Sequence, residues 1–123
     1  MSARTFMLAG SSVRLAYGIG SLVAPDWMSG RLAPDVRGHA DGRMSLRGFG
    51  GLYIAVALLT MFASYRTDIA RPALALNLGC EAFDATAGLL ELRDRGGPDP
   101  IALGGIAMPL AGALTWTAAL RRL

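Results

Sequence analysis

Polar side chains recur along one side of an otherwise apolar segment between residues 72 and 92. Asn77, Glu81, Asp84 and Gly88 follow one another at spacings of four, three and four residues. On an α-helix this spacing places all four on one face. Carboxylates in such a stripe can hold a proton, bind a cation or form an ion pair, and within a membrane each role requires a partner.

The two carboxylates make this segment a poor membrane span by itself. At the centre of a bilayer a charged side chain costs about 2.5–3.5 kcal/mol, whereas each Leu or Phe returns about 0.3–0.6 kcal/mol. The five leucines and one phenylalanine between Pro72 and Leu90 return roughly 3 kcal/mol against roughly 5 kcal/mol for the two acids. We therefore expect another part of the chain to neutralise them.

Two arginines are the candidate partners. Arg14 lies near the middle of another apolar segment, and Arg47 stands at the start of a third. A guanidinium group is suited to holding a carboxylate with two hydrogen bonds. Depth in the membrane predicts that Arg14 pairs with Glu81 or Asp84 and that Arg47 pairs with Asp84, with Asn77 beside them. This network leaves no acid without a cation, and it could fix helix register, contact a substrate or couple to protons.

Four apolar segments must position these side chains, because a span needs about 20 mostly apolar residues. They cover about 5–24, 47–65, 72–92 and 101–120. The second and fourth contain long stretches without charge, which leaves no polar face for water. The sequence thus predicts an all-α integral membrane protein, a single domain of four transmembrane helices over residues 1–123.

The connections between these segments carry their own signals. We expect an extramembrane loop over 25–46, with a short interfacial helix at 26–32. Pro72 and Pro100 suit the first turn of a helix, with Asp99 as the N-cap before Pro100. Several aromatic residues near segment ends are typical of an aromatic belt; they are Trp27, Tyr53, Tyr65 and Trp116.

Charge and small residues predict orientation and packing. The two sets of segment ends carry nearly equal numbers of arginines, so the positive-inside rule does not decide the orientation. The arginines of one set are less diluted by acids and lie in short segments, which favours a multi-pass protein of the cytoplasmic (inner) membrane with both termini in the cytoplasm; these are Arg4, Arg66, Arg71, Arg121 and Arg122. Glycines within the spans predict close helix packing; these are Gly10, Gly18, Gly50, Gly51, Gly88, Gly104, Gly105 and Gly112.

Several classes of function find no support in the residues. The single cysteine, Cys80, and the single histidine, His39, lie far apart, so we expect no metal site, disulfide or haem. The arginines form no basic face interleaved with aromatic residues, which argues against nucleic-acid binding. Since no catalytic motif is present either, we expect a protein that is not an enzyme and has no cofactor.

Three short motifs resemble a known family. They are RLAYGIGSLVAP at 14–25, GRMSLRGFGGLYIAVAL at 42–58, and an acid in the third segment, here Asp84. Together they are similar to small four-span actinobacterial membrane proteins of uncharacterised function, loosely like the DoxX group. The resemblance implies a four-helix membrane fold and draws attention to Arg14, Arg47 and Asp84, whereas Glu81 is additional to the pattern.

These observations favour a non-catalytic accessory or stabilising subunit of a larger membrane complex. Its partners would be the lipid bilayer, other integral membrane subunits and possible lipid, since the complex could transport lipids or envelope precursors. One alternative is a small homo-oligomeric carrier for a lipophilic or cationic solute that uses Glu81 and Asp84. A quinone-linked membrane redox partner is a third possibility.

Overall fold

The computed structural model describes residues 1–32 and 38–123, with the backbone alone for Arg31 and Leu32, and its regular structure is entirely helical. The helices are α1 (Ala3–Val23), α2 (Pro25–Leu32), α3 (Ala40–Ala63), α4 (Thr67–Asp94) and α5 (Pro100–Leu120). The all-helical fold is therefore confirmed, with one more helix in the described residues than the four expected spans. That helix, α2, is the short helix expected at 26–32.

Side-chain caps fix two of the helix starts. The Ser2 hydroxyl accepts a hydrogen bond from the backbone N–H of Thr5 at 3.2 Å and begins α1. The Asp99 carboxylate accepts from the N–H groups of Ile101 and Ala102 at 2.9 and 3.2 Å. Pro100 follows as the first residue of α5, where its missing N–H costs no helix hydrogen bond. The predicted start of the last segment is confirmed.

Two other boundaries differ from the prediction. Helix α3 begins at Ala40 rather than near 47, because its first two turns are polar and escape a search for apolar residues. Helix α4 begins at Thr67, so Pro72 lies inside it rather than in its first turn. The expected loop over 25–46 is correspondingly shorter, and its residues 33–37 lie outside the described part of the chain.

The long helices form two antiparallel pairs, α1 with α3 and α4 with α5, which meet mainly where α1 contacts α5. In each pair the two helices approach one another most closely at a contact between two glycines. A Cβ added to Gly50 would lie 2.6 Å from the carbonyl oxygen of Gly18, and one added to Gly88 would lie 2.6 Å from that of Gly105. Only glycine permits backbones to approach this closely. By contrast, α3 and α4 touch sparingly along their length.

The outer surface of the bundle is apolar. Helices α1, α3 and α5 are long and apolar enough to cross a membrane, yet only 28%, 28% and 17% of their most apolar stretches are buried inside the protein. Large side chains such as Val13, Phe62, Phe83 and Leu114 are more than half exposed. Apolar surface of this extent marks an interaction site or a membrane face, and the three helices indicate a membrane protein.

Candidate functional site

A buried ion pair lies at the centre of the bundle. Nη2 of Arg14 on α1 donates a hydrogen bond to Oε1 of Glu81 on α4, and the two residues are 6% and 8% exposed. Nε1 of Trp116 on α5 donates to the same oxygen at 2.8 Å. The carboxylate thus joins three helices and neutralises the guanidinium, so neither charge is left alone in an apolar interior.

Two glycines make room for this arrangement. A Cβ on Gly10 would lie 2.4 Å from the Trp116 ring, and a Cβ on Gly112 would lie 2.5 Å from the Glu81 carboxyl carbon. Gly10 stands one turn before Arg14, and Gly112 one turn before Trp116. The small residues therefore position the tryptophan and the carboxylate, which explains their place beside the charged groups.

Asp84 lies on the same helix, one turn beyond Glu81, but has a different environment. It is half-buried and accepts a hydrogen bond from the Tyr53 hydroxyl of α3. The Tyr53 ring stands edge-on to Tyr17, with 5.3 Å between ring centroids and 70° between ring planes. Within residues 1–32 and 38–123 no arginine forms an ion pair with Asp84.

The predicted pairing of Arg47 with Asp84 is wrong. Nε of Arg47 donates instead to the carbonyl oxygen of Leu22, at 3.3 Å, near the end of α1. Arg47 precedes Tyr53, the actual partner of Asp84, by six residues, which is about 9 Å along a helix. The guanidinium is thus too far toward the end of the bundle. Consequently no arginine side chain that the structure describes pairs with Asp84, contrary to the balanced network expected from the sequence.

Asn77 is separate from the charged groups. Its Nδ2 donates to Oγ1 of Thr60 at 2.7 Å and to the carbonyl oxygen of Ala73 at 2.8 Å. All of these atoms are buried, and the first bond joins α4 to α3. Asn77 therefore links two helices one turn away from Glu81, rather than belonging to the predicted charge network.

Two of the glycines predicted to pack against helices make no such contact with another described helix of this chain. A Cβ on Gly51 or on Gly104 would meet no atom within 4 Å in the described part of the chain. Both residues face outward from the bundle, next to Gly50 and Gly105, which do face a neighbouring helix. The spacing of the glycines was visible in the sequence. The sequence did not show which glycine of each adjacent pair, Gly50–Gly51 or Gly104–Gly105, faces a neighbouring helix.

A pocket of about 200 Å³ opens sideways between α3 and α4, where these helices touch least. It is lined by Arg14, Phe49, Leu52, Tyr53, Val56, Cys80, Phe83 and Asp84. Its rim is apolar and open, since Phe49, Leu52 and Phe83 are 59%, 58% and 79% exposed. Among the described residues, the polar side chains that line it besides Cys80 are Arg14, Tyr53 and Asp84. We call this feature the lateral pocket.

The polar end of the lateral pocket holds groups with different tasks. The charge of Arg14 is matched by Glu81, although its Nη1 is buried without a hydrogen-bond partner among the described residues. Its Cζ lies 5.2 Å from the centre of the Tyr53 ring. Asp84 thus supplies the unmatched charge, and aromatic rings stand on both sides of the opening. Such a set can bind a positively charged group.

Tyr53 and Trp116 were the residues misassigned by sequence reasoning, which placed them in an aromatic belt at the membrane surface. Trp116 is instead 2% exposed and bonded to Glu81, and Tyr53 bonds Asp84. A signal was present for Trp116, because Gly112 precedes it by one turn and small residues often make room for a large neighbour.

No group of three His, Cys, Asp or Glu side chains comes together as a metal site in the described residues.

Comparisons of the chain with models of protein families, with curated proteins and with solved structures give no match. The resemblance to small four-span, loosely DoxX-like proteins therefore remains a prediction from three short motifs. Any functional interpretation depends on the geometry of the bundle and its pocket.

Proposed function

We propose that the protein is a non-catalytic membrane protein that binds a lipophilic cation in the lateral pocket between α3 and α4. The observation that carries this proposal is the unmatched carboxylate of Asp84 on the wall of a pocket with an apolar, aromatic rim. A ligand that enters from the bilayer would place its apolar body against Phe49 and Phe83 and its charge beside Asp84. Carriage of such a solute is one of the two alternatives to an accessory subunit that the sequence left open.

Charge favours a cation over an anion at this site. Arg14 and Glu81 neutralise one another, so the polar end of the pocket carries the negative charge of Asp84. An ionised carboxylate away from water is stabilised by a cation nearby. Aromatic faces add about 0.5–2 kcal/mol for a positively charged group, depending on how completely it loses water. Phe49, Tyr53 and Phe83 provide such faces.

We test this assignment with tetraphenylphosphonium, a bulky lipophilic cation, and the purified protein in lipid nanodiscs. Asp84→Asn should weaken binding roughly tenfold or more, because it removes a negative charge whose attraction for a cation about 6 Å away is about 3 kcal/mol at an effective dielectric constant of about 20. The amide oxygen can still accept from Tyr53, so the fold should persist. Equilibrium binding by isothermal titration calorimetry measures the difference.

Two matched controls distinguish the effect of charge from nonspecific apolar binding. Glu91→Gln removes an exposed acid from the same helix, outside the lateral pocket, and should leave binding unchanged. Triphenylphosphine oxide offers a similar shape without net charge and should bind more weakly. Equal binding by the wild type and by Asp84→Asn would contradict the proposed site.

The proposal includes α4 as a fourth span, which its composition alone does not support. Its 28 residues correspond to about 42 Å of helix, more than a bilayer core requires. Side chains on α1, α3 or α5 bond to Nδ2 of Asn77, to Oε1 of Glu81 and to Oδ2 of Asp84. The insertion cost of this polar stripe is thus reduced by partners on neighbouring helices.

We expect reporters placed in the two turns that flank α4 to lie on opposite sides of the membrane. An enzyme active only outside the cytoplasm, fused after Arg66, should be inactive if the termini are cytoplasmic, and the same enzyme fused after Gly97 should be active. Fusion of a cytoplasmic fluorescent protein at both sites gives the reciprocal readout. If the reporters at both positions lay on the same side of the membrane, α4 could not be a span.

The accessory-subunit function expected from the sequence stays a prediction. The outward-facing Gly51 and Gly104 leave space for another helix to approach, which is compatible with docking on a larger complex. Binding of a lipophilic cation and attachment to other subunits are not mutually exclusive, because the glycines and the lateral pocket use different residues.

A further inference from the structure

The two ends of the bundle differ in charge. The end formed by the start of α1, the end of α3, the start of α4 and the end of α5 carries five arginines and a single acid, Asp68. The arginines are Arg4, Arg66, Arg71, Arg121 and Arg122. We call it the arginine-rich end. At the opposite end the described residues include five arginines and five acids, namely Arg31, Arg43, Arg47, Arg93, Arg95, Asp26, Asp41, Glu91, Asp94 and Asp99.

Most of the charge at the arginine-rich end has no acidic partner. Arg66 pairs with Asp68 at 2.9 Å. The other four arginines are exposed and form no ion pair with any described carboxylate; they are Arg4, Arg71, Arg121 and Arg122. At the opposite end, by contrast, Arg43, Arg93 and Arg95 each lie within 4 Å of an acid.

Aromatic rings hold two of these guanidinium groups at the edge of the apolar surface. Cζ of Arg4 lies 3.9 Å from the centre of the Tyr65 ring, and Cζ of Arg122 lies 4.9 Å from that of Phe6. Aromatic rings of this kind occupy the level of lipid headgroups in membrane proteins. Nη1 of Arg122 donates to the carbonyl oxygen of Ala118 at 2.9 Å. Its other guanidinium N–H groups, like those of Arg4, bond to no described acceptor and lie at the level of lipid phosphates.

We propose that the arginine-rich end binds anionic phospholipid headgroups of the leaflet that it faces. Each guanidinium presents a planar set of donors that fits phosphate with two parallel hydrogen bonds. Four unpaired positive charges around the bundle complement a negatively charged lipid surface, whereas the balanced opposite end does not. The surface is separate from the lateral pocket and does not depend on its ligand.

The lipid preference can be measured on the protein extracted from vesicles of equal parts phosphatidylglycerol and phosphatidylcholine. We expect the lipid that remains on the protein to be enriched in phosphatidylglycerol, with roughly a fivefold gain in affinity for each arginine near the surface. Replacing the four unpaired arginines together by glutamine should return the ratio to that of the vesicle. The enrichment should also fall in 1 M salt, where the Debye length is about 3 Å.

The matched control replaces four arginines of the opposite end by glutamine, namely Arg43, Arg47, Arg93 and Arg95, and should keep the enrichment. If the fourfold variant of the arginine-rich end folds poorly, Arg71→Gln and Arg121→Gln measured singly should each lower it. No enrichment in the wild type, an equal loss from both ends, or no effect of salt would overturn the proposal. Preference for an acidic peptide over phosphatidylglycerol would also overturn it and assign this end to a protein partner.

Discussion

Glu81→Leu is expected to lower the free energy of unfolding by about 3–5 kcal/mol, because it leaves the buried charge of Arg14 without a counter-ion. It also removes the acceptor used by Nε1 of Trp116. The pair lies between three helices, and both partners are almost fully buried. Titration with a denaturing detergent in mixed micelles, followed by helix content, measures the change.

Two further variants separate the loss of the pair from other effects. Combining Glu81→Leu with Arg14→Met removes both charges and should recover most of the lost stability, since apolar residues of similar size can replace a buried ion pair. Glu91→Gln, which removes an exposed acid of the same helix, should change stability by less than about 1 kcal/mol. If the double variant were as unstable as Glu81→Leu alone, the unmatched charge could not be the cause.

Gly88→Ala is expected to destabilise the α4–α5 pair by about 1–3 kcal/mol, as overpacking of a close contact does. The added Cβ would lie 2.6 Å from the carbonyl oxygen of Gly105 and 2.7 Å from its carbonyl carbon. Backbone atoms cannot rotate away as the end of a side chain can, so the helices must separate. The same unfolding titration reports the effect.

Gly104→Ala provides the matched comparison on the partner helix. Its Cβ would meet no described atom within 4 Å, and alanine is favoured over glycine within a helix by about 0.5–1 kcal/mol. This variant should therefore be neutral or slightly stabilising. Equal destabilisation by Gly88→Ala and Gly104→Ala would show that α4 and α5 do not cross at the Gly88–Gly105 contact.

Much of the fold could be predicted from composition and periodicity. Long apolar segments fixed the positions of α1, α3 and α5 to within a few residues, apart from the polar first turns of α3. Asp99 and Pro100 located the start of α5 because capping of a helix depends only on residues that are close in the sequence. The interpretation of Pro72 was wrong because a proline marks a helix start only when the residues before it cannot form a helical turn. Here Thr67–Arg71 form the first turn, so the helix begins before Pro72.

The candidate site was predictable only in part. The stripe of Asn77, Glu81 and Asp84 followed from helical spacing, as did the need for partners. Depth predicted that Arg14 meets Glu81 or Asp84 without deciding between them, and it assigned Arg47 wrongly, because the pairing depends on how far one helix slides along another. A shift of six residues, about 9 Å, decides whether Asp84 meets Arg47 or Tyr53. The lateral pocket likewise reflects the sparse contact of α3 with α4, which no single segment encodes.

Adjacent acids on one helix thus have separate tasks. Glu81 matches Arg14 and holds three helices together, whereas Asp84 keeps a charge available at the lateral pocket. Substitutions at Glu81 should therefore reduce stability, and substitutions at Asp84 should reduce binding of a cation while the bundle stays folded.

Two double-mutant cycles measured by unfolding test this division of the acids most directly. One cycle combines Arg14→Met with Glu81→Leu, and the other combines Arg14→Met with Asp84→Asn. We expect a coupling energy of about 3 kcal/mol in the first cycle and less than about 1 kcal/mol in the second, where Arg14 and Asp84 share only their contact with Tyr53. A coupling of Arg14 to Asp84 that equals or exceeds its coupling to Glu81 would contradict the assignment of Arg14 to Glu81 and of Asp84 to the ligand.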